Sequence, residues 1–161
     1  IIGTKHWGNK MKIGELSDTS IDFLSDFLIS ACMGTSVADG EWTEDEGQMI
    51  WSIIDYNRDH LDSDHPALPV ANNLRRRVNS DDEYFTNMVT AHSMTERLNP
   101  ILDSLDDDEA NQYAWWVMIC CNLVATNDGK RDLQESVYIV DLFRNLGWDY
   151  SSALEDLPDT K

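Results

Sequence analysis

Val37-Ala38-Asp39-Gly40-Glu41-Trp42-Thr43-Glu44-Asp45-Glu46 is the stretch around which the chain reads as a fold. Ahead of it, Ile21, Leu24, Phe27, Leu28, Ala31 and Cys32 recur at helical spacing. That run predicts a helix starting near Ser17 or Asp18, both good cap residues, and stopping before Asp39-Gly40. Glycine at that point admits a positive φ that other residues resist. Thr43 and Glu46 then form an S/T-x-x-E capping box, and Met49, Ile50, Ile53 and Ile54 supply the buried face of a second helix that fades near Asn57 to His60.

The same plan returns 89 positions later. Asp39-Gly40 aligns with Asp128-Gly129, Thr43 with Asp132, and Glu46 with Glu135. Phe27, Leu28, Ala31 and Cys32 align with Trp116, Val117, Cys120 and Cys121, and Ile50, Ile53 and Ile54 with Ile139, Leu142 and Phe143. One Asp-Gly turn is common. Two, each with the same cap, acid and apolar stripe, point to a duplicated helix–loop–helix unit whose copies pack face to face. The expected organisation is an N-terminal arm over 1–16, packing loosely, followed by one helical domain over 17–161. The repeat units lie at about 18–58 and 107–147, with inserted helices over 59–105.

Within the insertion, residues 59–69 read as a polar linker with two prolines, and 70–78 as a short helix ending in Arg75-Arg76-Arg77. Ser80 with Glu83 predicts a helix running to about Leu98, broken by Pro100. Asp106 with Glu109 marks the next start, Gly147 a stop, and a last short helix is expected near Ser152. No strand alternation persists anywhere. The fold expected is all-α, a compact bundle of about seven or eight helices built on two pseudo-repeated helix–loop–helix units.

Composition bounds the function. Thirty acidic residues against 12 basic ones give a formal charge of −18, which disfavours nucleic acid and anionic bilayers and suits a cation, a basic partner or simply a well-solvated surface. The three cysteines sit in apolar runs, two of them adjacent, which is not a disulfide framework, and a cytoplasmic setting is expected. The longest apolar run, 113–125, is interrupted by Asn122 and falls short of the ~20 residues of a membrane span, so no membrane insertion is expected.

The Asp-Gly elements invite comparison with the calcium loop D-x-[DN]-x-[DN]-G-x5-E. Gly40, Asp39 and Glu46 fit its sixth, fifth and twelfth positions, but Thr35 and Val37 stand where carboxylates belong; in the second copy Val124 and Thr126 do the same. Calcium takes about six to eight oxygens, so neither loop binds it alone. Together, Asp39, Glu46, Asp128 and Glu135 could hold one shared divalent cation (calcium, magnesium or zinc). The competing reading makes the aspartates turn formers, and Glu46 and Glu135 acids at the third position of their helices, reaching back to the cap amide.

The run Val37-Ala38-Asp39-Gly40…Glu46 followed by Ile50, with its echo at Asp128-Gly129…Glu135, resembles the tellurite-resistance TerB family over most of residues 18–150. The resemblance implies a helical bundle with internal pseudo-symmetry and a non-enzymatic, cytoplasmic stress-response role. It also implies a divalent metal on Asp39, Glu46, Asp128 and Glu135, and a protein partner that can be membrane-bound; a homodimer is compatible with it. The second copy departs from the pattern at Asn127 and Arg131.

Other groupings are weaker. His60, Asp62, Asp64 and His65 are ligand types for a transition metal, although their spacing matches no motif and a polar loop before Pro66 explains them. The three arginines 75–77 are expected to pair with Asp81, Asp82 and Glu83, and Cys120-Cys121 to be core. No phosphate-binding, dinucleotide, zinc-protease, serine-nucleophile or C-x-x-C motif is present. A metal-dependent hydrolase using the same carboxylates, with His60, His65 or His92 as base, stands as the enzymatic alternative. A purely structural interaction domain is the third reading.

Overall fold

The computed structural model of the chain describes residues 10–36, 44–81, 83–85, 89–126 and 133–148. Six α-helices account for most of them: α1 Asp18–Ser36, α2 Glu44–Arg58, α3 Leu68–Ser80, α4 Thr95–Asp103, α5 Asp107–Ala125 and α6 Leu133–Asn145. Short 3-10 turns lie at Ile13–Glu15 and Ala91–Met94. There is no strand among the described residues, only an isolated parallel bridge between Met11 and Leu105.

α1 is the hub and touches all five other helices. From Phe23 to Met33 every residue but Asp26 is buried. A helix wrapped on all sides is apolar all round, and its sequence stripe is therefore broader than that of a surface helix. Ser17 starts α1 as expected: its hydroxyl accepts the amide of Ser20 at 3.2 Å. α6 ends on Gly147 at φ +74°, where Gly147 N donates to Arg144 O at 3.0 Å and Trp148 N to Phe143 O at 2.9 Å. That pair of bonds closes a helix through a left-handed glycine, and the usual apolar contact across it is present, with the Trp148 and Phe143 rings 5.2 Å apart.

α1 and α5 are both 19 residues long and start 89 residues apart, as do α2 and α6. Two contacts join α1 and α5 at that same separation. The Tyr113 hydroxyl donates to the Leu24 carbonyl at 2.8 Å, and the buried Cys32 and Cys121 thiols are near enough that Cys121 raises the Cys32 pKa. The contacts are eight residues apart on each helix, in the same order. α1 and α5 therefore run in the same direction, in register, and their C-terminal ends lie at the same end of the molecule.

The inserted region departs from its sequence reading. α3 begins at Leu68 with Pro69 in its first turn, where the missing N–H costs nothing. It runs through Ser80, so Ser80 ends a helix rather than opening one; its hydroxyl returns to Arg77 O at 3.3 Å. No helix runs from Ser80 to Leu98: residues 83–85 form a turn, Val89 and Thr90 are irregular, and a 3-10 turn precedes α4. Pro100 lies inside α4 instead of ending it. Glu96, whose carbonyl loses the bond, is exposed like Asn99 and Pro100, so water replaces the lost bond, while Leu98 and Leu102 bury the opposite stripe.

Asp106 with Glu109 does mark the start of α5, but the pair makes no side-chain cap. Glu109 accepts the amide of Ile13 at 2.8 Å. That carboxylate, with the Met11–Ser104 and Asp106–Met11 backbone bonds at 3.0 and 2.9 Å, fixes residues 10–16 against the start of α5. Ile13 is 0% exposed, so this end of the arm is part of the core.

Candidate functional site

Asp39 and Asp128 lie outside the described residues, as do the Thr43 and Asp132 cap positions and the expected helix near Ser152. Glu46 and Glu135 each take the third position of their helices, α2 and α6. Glu135 is half-buried, and the Glu46 side chain lies outside the described set. The last described residues before each Asp-Gly element, Ser36 and Thr126, end the parallel helices α1 and α5.

The packing beneath that end is dense. Cys32, Cys120 and Cys121 are fully buried between α1 and α5, without a disulfide. Tyr138 of α6 closes over Gly34 so tightly that a Cβ there would lie 2.0 Å from its hydroxyl. One turn before α5 ends, Asn122 is 0% exposed, and neither its amide nitrogen nor its oxygen has a hydrogen-bond partner among the described residues. A buried amide left so costs on the order of 2–7 kcal/mol, and its oxygen is a donor of the kind hard cations take.

Burial raises the pKa values of Cys32, Cys120, Tyr113 and Tyr138; for Cys32 the neighbouring Cys121 thiol adds to it. These groups keep their protons in the folded chain after the unfolded chain has lost them. The folded state then binds more protons, and stability falls with rising pH. Stability is thus expected to hold below about pH 9 and to lose about 2 kcal/mol by pH 10, at ~1.4 kcal/mol per thiol per pH unit. Melting temperatures measured from neutral to alkaline pH check this; a flat profile through pH 10 would mean that the thiols are not buried.

The alternative metal group is not gathered. His60 lies just past α2 with Nδ1 3.0 Å from Tyr56 O and its ring 4.7 Å from that of Tyr56. His65 Nδ1 accepts the amide of Ala67 at 3.0 Å and helps start α3. Asp62 and Asp64 are exposed. Among the described residues, no three His, Cys, Asp or Glu side chains are placed to hold one ion. His92, the third candidate base, faces Asp141 at 3.2 Å and the ring of Tyr138 at 5.2 Å.

A polar cluster between α1 and α3 was not expected from sequence. Arg77 donates through Nε and Nη2 to the two carboxylate oxygens of Asp26 at 2.9 and 2.8 Å, and Tyr84 donates to the same carboxylate at 2.7 Å. Burial lowers the Arg77 pKa, but Asp26 outweighs that and holds it above its ordinary value. Tyr84 is held up by burial and then by the Asp26 charge. Beside them Asn73 donates to Asp22 at 2.8 Å and to Ser25 at 3.0 Å. Arg75 pairs with Asp55 of α2 at 2.7 Å, and Arg76 bonds Asn73. Arg75 and Arg77 are thus paired with acids of α2 and α1 rather than with Asp81, and Arg76 bonds an amide; Asp82 lies outside the described residues. Asp81 lies past the end of α3, whereas helical side chains meet the helices packed beside them.

No helix among the described residues is long and apolar enough to cross a membrane. Comparison with protein families, with characterised proteins and with solved structures returns no match.

Proposed function

We propose that the chain is a non-enzymatic stress-response module of the tellurite-resistance TerB type. It holds one divalent cation between two pseudo-equivalent Asp-Gly elements and docks a partner protein. The observation that carries this reading is the pairing of Leu24 with Tyr113 and of Cys32 with Cys121, each at a separation of 89 residues. Equivalent residues of a duplicated unit meet one another only along its pseudo-twofold axis. An axis between two parallel helices sends the two acidic elements out from the same end of the molecule. On this proposal Asp39, Glu46, Asp128 and Glu135 form one ligand set, and together they supply the oxygens that neither loop provides alone.

Charge and chemistry support the same reading. A surface at −18 attracts cations, and the amide of Asn122, without a partner among the described residues, lies one turn before α5 ends. A cation clamped between the two units stabilises the folded state by mass action, by about 2.7 kcal/mol at a hundredfold excess over Kd. Metal-stripped protein is therefore expected to melt several degrees higher with calcium, magnesium or zinc, and Asp39→Asn/Asp128→Asn to lose that shift. An equal shift in both proteins would assign it to diffuse attraction and leave the acids a capping role.

A further inference from the structure

A cavity of about 310 Å³ lies between α1, the 91–94 turn and α4. It is at the lower end of the range for small-molecule sites. Phe23, Asp26 and Ser30 line one wall, three and four residues apart and hence on one face of α1. Met94 and Val89 face them, and Arg97 stands at the Phe23 end.

Three side chains there have unused capacity. Ser30 is 0% exposed, yet its hydroxyl has no hydrogen-bond partner among the described residues, not even the carbonyl one turn back. A buried hydroxyl is not left unmade without cost, so it points to a missing partner. Asp26 spends two acceptor positions of Oδ1 on Arg77 and Tyr84 and one of Oδ2 on Arg77, leaving room on Oδ2. Arg97 is laid over the Phe23 ring, 4.6 Å from its centroid, and makes no ion pair with a described residue although acids outnumber bases 30 to 12. Asp26 and Arg97 border one cavity without bonding each other.

We infer that this cavity binds a small zwitterion of amino-acid type with an apolar side chain. Its ammonium takes Asp26 Oδ2 and, once the cavity wall yields to admit it, the buried Ser30 hydroxyl; its carboxylate takes Arg97, and its apolar part lies against Phe23 and Met94. An ammonium has three donors and no acceptor, which suits a carboxylate and a hydroxyl one helical turn apart. A lone carboxylate would meet Asp26 unfavourably, and a lone amine would leave Arg97 unused. The inference is independent of the cation site.

The test is thermal stability of the full chain with leucine, with isocaproate, which lacks the ammonium, and with isoamylamine, which lacks the carboxylate. Leucine at about tenfold over Kd is expected to raise the melting temperature by roughly 3–6 °C, and the other two to do far less. Arg97→Gln, at an exposed position, should weaken leucine at least ~10-fold, the value of one lost charge-assisted contact. Ser30→Ala should weaken it too, while leaving the ligand-free melting temperature unchanged or higher, because it deletes an unsatisfied group. No response to any of the three probes overturns the inference. So does equal binding of leucine and isoamylamine, which removes the role of Arg97, or a fall in ligand-free stability in Ser30→Ala, which would mean the hydroxyl already has its partner.

Discussion

Trp116→Ala is expected to cost about 4 kcal/mol, within the range for deleting a buried aromatic and a large share of the 5–15 kcal/mol that holds a domain together. Trp116 is 1% exposed at the contact of α5 with α2. Its indole N–H donates to Asn57 Oδ1 at 2.6 Å, so truncation removes the ring and strands the amide oxygen of the opposite helix. Trp116→Phe keeps most of the volume and loses the bond, and should cost roughly 1–2 kcal/mol. Urea midpoints at constant slope read both values. A loss below about 1.5 kcal/mol for the alanine variant would mean that the site collapses freely and that the α2–α5 contact is not a packed one.

Asp26→Ala should cost about 3 kcal/mol. It leaves the Arg77 guanidinium without its bidentate partner and the Tyr84 hydroxyl without an acceptor, both largely shielded. The side chains are 26% and 32% exposed for Asp26 and Arg77, so the effect falls below that of a fully dry pair. Asp22 at 3.4 Å also compensates part of the charge. The double variant Asp26→Leu/Arg77→Met removes both charges and should recover 1 kcal/mol or more of the loss, in the way replaced buried pairs do, at about that magnitude. Additive losses in the double-mutant cycle would show the two groups to be uncoupled.

These two sites differ in how far sequence announced them. Trp116 sits in an apolar run whose helical spacing is local information, and the same holds for α1, α2, α5 and α6, whose stripes and stop residues fall within a few turns of one another. Gly147 was legible for the same reason, since only glycine readily takes φ +74°. The Asp26 cluster was not legible, because its partners lie 51 and 58 residues away and are brought in by the packing of α1 on α3. Capping signals failed where a distant group competed. Glu109 had a local role available at Asp106, but the amide of Ile13, 96 residues earlier, took its carboxylate. Ile13 itself carried no periodic signal, being one apolar residue in a short arm, yet it is wholly buried. Pro100 misled because its cost depends on exposure: on the wet side of α4 the broken bond is replaced by water.

The acidic elements were the clearest functional signal in the sequence, and the described helices bear on them through geometry alone. A run of parallel, in-register contacts between Leu24 and Tyr113 and between Cys32 and Cys121 is difficult to reconcile with two unrelated helix pairs. It supports the proposed duplication, in which the two acidic elements would act as half-sites of one cation site.

Calorimetric titration of metal-stripped protein with calcium, magnesium and zinc tests that meaning most directly, through stoichiometry. A shared site predicts saturable binding of a single cation per chain, abolished by Asp39→Asn and equally by Asp128→Asn, because each variant removes one of the four carboxylates of a single ligand set. Two cations per chain lost one at a time, or weak binding that survives both substitutions, would contradict it.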